Sequence, residues 1–126
     1  MATFSTSLQD LQTQVSQLES IISQANPDAT ALQQDFLMVQ QQFQTGILGI
    51  TGTLPEALAD AAQPLLVEMN RTFRLLGMDI AFLQTARNPL TQQQRQKQMR
   101  DRIHQLQNFC QGLMKLENEA TDLSEG

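Results

Sequence analysis

The sequence holds a single cysteine and a single histidine. One Cys excludes an internal disulfide framework and every multi-cysteine zinc site, and one His excludes a multi-histidine metal centre. Tryptophan and tyrosine are absent, and no apolar run approaches the roughly 20 residues that a membrane-spanning helix needs. The opening residues, Met1-Ala2-Thr3-Phe4-Ser5, bring neither a basic region nor an apolar stretch. No secretory signal is therefore expected, and a cytoplasmic location is. The Glu-x-x-His pair of di-iron bundles is also missing. What is abundant is glutamine, at 21 of 126 positions, beside six Phe and six Met. With 40% apolar residues, the chain suffices for one core, read as a single domain over residues 1–126.

Charge is distributed in blocks. Residues 1–70 carry seven acids (Asp10, Glu19, Asp28, Asp35, Glu56, Asp60, Glu68) and no base. Residues 71–115 carry all eight bases against Asp79 and Asp101. Glu117, Glu119, Asp122 and Glu125 then follow, so blocks of −7, +6 and −4 lie behind the net −5. One expectation is that the acidic half pairs with the basic half between helices; the other is a basic face that steers an acidic partner.

Four segments show helical periodicity, over about 5–25, 28–45, 54–87 and 92–118, with an acidic tail at 119–126. In the first, Leu8, Leu11, Val15, Leu18, Ile22 and Ala25 form one stripe, until Asn26-Pro27-Asp28 interrupts. Leu32, Phe36, Val39 and Phe43 form the second stripe, which Ile47 extends. Gly46, Gly49 and Gly52 mark a loop, and no Gly-Lys-Ser/Thr makes them a phosphate cradle. Thr53 and Glu56 have the spacing of a capping box, as do Thr91 and Gln94. The third stripe is Leu58, Ala62, Leu65/Leu66, Met69, Phe73, Leu76, Ile80 and Leu83, with Pro64 inside it, which predicts a kink or break. Met99, Ile103, Leu106, Cys110, Leu113 and Glu117 form the fourth. Four amphipathic helices on short loops predict an all-α, up-down-up-down antiparallel four-helix bundle.

Chemistry needs groups that converge. His104 and Cys110 are on one predicted helix but on different faces, Cys110 in the core stripe and His104 opposite it. They form no dyad, and neither catalytic residues nor a cofactor are expected. The bases Arg95, Lys97, Arg100 and Arg102 do not share a stripe and have no aromatics interleaved for stacking, so nucleic acid is not the expected partner. Arg95 and Arg102 flank the core face, where they can pair with acids of a neighbouring helix. Asp79 has Arg87 and Arg102 as candidate partners.

Helix three carries a second apolar stripe, Leu75, Met78 and Phe82, nearly opposite the first and bordered by Arg71 and Arg74. A helix apolar on two sides is either covered on both or exposes a patch. If exposed, these five residues are the candidate partner-binding site, for a homodimer or for another protein.

The run Arg74-Leu75-Leu76-Gly77-Met78-Asp79-Ile80-Ala81-Phe82-Leu83-Gln84-Thr85-Ala86-Arg87, a Pro-containing break, Gln94-Arg95, Met99-Arg100-Asp101-Arg102 and Phe109-Cys110 carry a resemblance. Over residues 71–110 the chain resembles the cyanobacterial heterocyst frequency control protein PatD family. The resemblance implies a small cytoplasmic, non-enzymatic regulator that modulates assembly of the tubulin-like division protein FtsZ. It also implies a role in heterocyst differentiation and cell division, and it transfers no contact residues. The alternative is a homo-oligomeric structural or adaptor bundle unrelated to division.

Overall fold

A computed structural model describes residues 3–25 and 27–125, with side chains as far as Ala120. Among the described residues there are four α-helices and no strand: α1 (Phe4–Ile22), α2 (Ala29–Gly46), α3 (Glu56–Thr85) and α4 (Pro89–Glu125). A 3-10 helix, Leu48–Thr53, links α2 to α3. At 1.5 Å per residue α1 and α2 are about 28 Å long, whereas the 30 residues of α3 and 37 of α4 extend about 45 and 55 Å.

Packing runs around a ring. α1 lies against α2 and α4, and α3 lies against α4 and, less extensively, α2. The pairs are antiparallel. Gln96, early in α4, donates to the carbonyls of Ile22 and Gln24 at the end of α1, at 3.2 and 3.1 Å. Gln84, late in α3, donates to Gln33, early in α2, at 2.7 Å. This is the up-down-up-down bundle that four apolar stripes and short connections dictate.

The stripes are the core. Leu8, Leu11, Val15, Leu18 and Ile22 of α1 are fully buried, as are Met99, Ile103, Leu106, Cys110 and Leu113 of α4. From α2 and α3, Phe43 and Phe73 meet with ring centroids 4.9 Å apart. Phe36 presses on Gly77, where a Cβ would lie 3.0 Å from the ring. Glycine there lets α2 approach the backbone of α3. Ala25, by contrast, is exposed, because α1 ends at Ile22, three residues before it. Leu83 is only half-buried.

Several boundaries differ from their sequence signals. The glycines at 49 and 52 lie in the 3-10 helix rather than a loop, and Gly46 closes α2. Thr53 caps nothing: its hydroxyl donates to the Ile50 carbonyl at 2.6 Å, and Pro55 stands at the start of α3 with no side-chain cap. Thr53 is the last residue of the 3-10 helix, and the N-cap position of α3 falls two residues later, on Pro55, which has no side-chain acceptor. Thr91 is displaced as a cap by Asn88, whose Oδ1 accepts from Leu90 N at 2.8 Å, so Asn88-Pro89 both follows α3 and starts α4. The backbone of the acidic tail is helical through Glu125. Asn26 lies outside the described residues. α3 is not broken at Pro64. The proline leaves the Asp60 carbonyl without its helical donor at a site where both residues are exposed to solvent.

Two buried side-chain oxygens among the described residues lack a hydrogen-bond partner, Gln14 Oε1 and Asp35 Oδ2, and the second belongs to an ionisable group. Asp35 of α2 is half-buried and its Oδ2 has no hydrogen-bond partner. Desolvation raises its pKa above the usual carboxylate value. A folded pKa above the unfolded one favours the protonated fold, so that contribution is present at acidic pH and is lost as pH rises through the folded value. Asp35→Asn should therefore raise the melting temperature at neutral pH and give little gain below the unfolded carboxylate pKa, as thermal melts at the two pH values will show.

Candidate docking surface

The site begins with a buried carboxylate. Asp79 faces α4 from α3, and its side chain is 6% exposed. Arg102 Nε donates to Oδ2 at 3.4 Å, and Arg95 Nη1 stands 3.7 Å from Oδ1. Of the two partners that the sequence offers, Arg87 and Arg102, the structure uses Arg102 and adds Arg95. Both arginines come from α4, one turn on either side of Gln98 and Met99, so the two helices are locked in register.

Arg95 also lies over the Phe82 ring, 4.8 Å from its centroid. A guanidinium at that distance is attracted by the ring face and limits its rotation. Asp79, Arg95 and Phe82 thus form a chain from the interhelical seam to the surface. The cation–π contact had no signal in the sequence, because it joins α3 to α4 across the loop.

The five candidate residues fall as follows. Met78 and Phe82 are 53% and 47% exposed. Leu75 is half-buried, and with Glu68, Arg71, Arg102, Gln105 and Phe109 it lines an open groove of about 320 Å³ between α3 and α4. Arg74 is exposed and makes no ion pair among the described residues; Arg71 stands 3.9 Å from Glu68, with both side chains at least half exposed. A pair of that kind contributes little. The second stripe of α3 is therefore surface, and α3 is not wrapped on all sides. Val67, 54% exposed, extends it toward the N-terminus of the helix.

Other exposed apolar residues are Leu37, Met38 and Leu90. The first two belong to the run Phe36-Leu37-Met38-Val39, and four successive apolar residues cannot all face one side of a helix. That signal was legible in the sequence.

The acidic and basic halves do not neutralise each other. Among the described residues the contacts between them are the exposed Arg71–Glu68 pair within α3, at 3.9 Å, and, between helices, His104 with Glu19, at 3.0 Å on the surface of α1 and α4. Most charges in both blocks face solvent. Burial raises the pKa of Glu117, and the Ser5 backbone N–H at the start of α1 offsets part of that rise. Among the described residues no group of three or more His, Cys, Asp and Glu is placed to hold a metal, and no helix is long and apolar enough to cross a membrane. No protein-family model, curated protein or solved structure matches the chain.

Two outcomes follow. Cys110 is fully buried, and burial pushes its thiol up to about 12, so it is protonated at neutral pH. Thiol reagents should modify it only as fast as the protein unfolds, which a rate series in denaturant measures. Asp79→Ala should cost about 3 kcal/mol, the lower end for a broken buried pair, since both arginines keep some solvent. Chemical denaturation should show that loss, with Asp101→Ala, at an exposed site, nearly neutral.

Proposed function

We propose that the chain is a non-enzymatic protein-interaction regulator whose recognition surface is the outward side of α3. Leu75, Met78 and Phe82 are the apolar anchors, and Arg71 and Arg74 are the charged rim. The observation that carries this reading is the exposure of Met78 and Phe82 beside a core that closes without them. Unbranched, polarisable Met adapts to the shape of a partner, and flat Phe brings a large apolar area with only two torsions to fix. The arginines favour an acidic partner and make association salt-sensitive.

The resemblance to the PatD family supplies the partner, FtsZ, and the setting, the cytoplasm of a dividing or differentiating cyanobacterial cell. In this reading the protein tunes FtsZ assembly by occupying a surface of the polymer, with no cofactor, nucleic acid or membrane involved. A homo-oligomeric bundle is the second reading, and the charge pattern of α3 favours it specifically.

Co-sedimentation with purified FtsZ polymers tests the first. Met78→Ala and Arg74→Glu should each weaken binding by about 1–2 kcal/mol, or roughly 5- to 30-fold, with helical signal and melting temperature nearly unchanged. Wild-type protein that stays in the supernatant at every FtsZ concentration would end the FtsZ assignment. If Met78→Ala unfolds the protein instead, the docking face lies elsewhere, with the outward side of α4 around Lys97, Arg100 and His104 next in line.

A further inference from the structure

The outward face of α3 is polarised along its length. Glu56 and Asp60 occupy its first half, Arg71 and Arg74 its second, and all four are exposed. Pro64 and Val67 bridge them in steps of three or four residues, and Met78 and Phe82 continue the same steps, so the whole seam shares one side of the helix. Among the described residues Glu56, Asp60 and Arg74 have no ion-pair partner. α4 repeats the polarity. It runs antiparallel to α3, with Arg95 and Arg102 beside Asp79 and with Gly112 beside Leu65. Arg95, Lys97, Arg100 and Arg102 therefore flank the basic half of α3, while Lys115, Glu117 and Glu119, acidic on balance, lie toward its acidic end.

A surface with acids at one end, bases at the other and exposed apolar side chains between and beyond them is complementary to itself when turned end for end. A parallel copy would set like charges together. We propose that a second copy of this chain docks on α3 in antiparallel orientation, about a two-fold axis near Val67. Asp60 and Arg74 are each seven residues from Val67, so the axis places Asp60 of each copy opposite Arg74 of the other. Val67 meets its own counterpart on the axis. Met78, eleven residues away, reaches the start of the opposing α3. Such an interface is isologous and closes at two copies.

The dimer covers the face assigned above to a partner, so self-association and partner binding compete. The proposal shares that face with the functional reading but needs no FtsZ, and its test uses the purified protein alone. Sedimentation equilibrium from micromolar to near-millimolar protein should show a monomer–dimer equilibrium that weakens with salt. Asp60→Arg or Arg74→Asp alone should weaken it about tenfold or more, because each sets like charges together. The combined variant keeps the wild-type net charge and should recover the dimer. Under mild oxidation Val67→Cys should form a disulfide-linked dimer, and Ser16→Cys on the exposed side of α1 should not; Cys110 is buried and does not compete. Circular dichroism of each variant checks that the bundle is intact. A protein that stays monomeric throughout, a combined variant that fails to recover, or equal cross-linking at positions 67 and 16 overturns the proposal.

Discussion

A carboxylate taken out of water between two helices needs opposite charge close by, or the helices will not close over it. Asp79 meets that condition through two arginines of α4, at 3.4 and 3.7 Å. Apolar stripes alone leave neighbouring helices free to slide by a turn at modest cost, since Leu, Ile and Met are interchangeable to a first approximation. A buried Asp between Arg95 and Arg102 does not slide. Its value lies in register more than in net stability, because the desolvation of the charges offsets much of their attraction. Once α3 and α4 are fixed this way, Arg95 comes to lie over Phe82 and the outward face of α3 is set.

That face is what distinguishes the molecule from a bundle that only packs itself. Among the described residues twenty-two buried side chains make one continuous core, and Val67, Met78 and Phe82 have no place in it. Apolar side chains on a surface cost solubility unless something covers them for part of the time. Here they alternate with Arg71 and Arg74 along a helix whose first half is acidic, so the surface has both anchors and a direction. A second copy and a foreign partner would use the same anchors. Competition between them would make activity depend on protein concentration, a property that suits a regulator of assembly.

The core was legible in the sequence because steps of three and four residues report burial directly. Leu8 to Ile22, Leu32 to Phe43, Leu58 to Ile80 and Met99 to Leu113 all face inward as their spacing requires. The caps were not, because a Thr or Asn can bond forward or backward along its own chain with nearly equal energy. Thr53 bonds back to Ile50, and Asn88 takes the capping role that the Thr91–Gln94 spacing predicts for Thr91. Arg102 was visible as a partner of Asp79, but the choice over Arg87 depends on the packing of α4 against α3. The second stripe could be read as a pattern; its exposure could not, since that depends on how four helices share their neighbours.

The most direct test of the account is the methyl spectrum of 13C-methionine-labelled protein. Met69 and Met99 are buried, whereas Met38 on α2 and Met78 on α3 are comparably exposed. The Met78 resonance should shift and broaden as protein concentration or an FtsZ partner is raised, with Met38 unchanged as the internal control. A Met78 signal that stays fixed while Met38 moves would place the interaction surface on α2 and contradict the account.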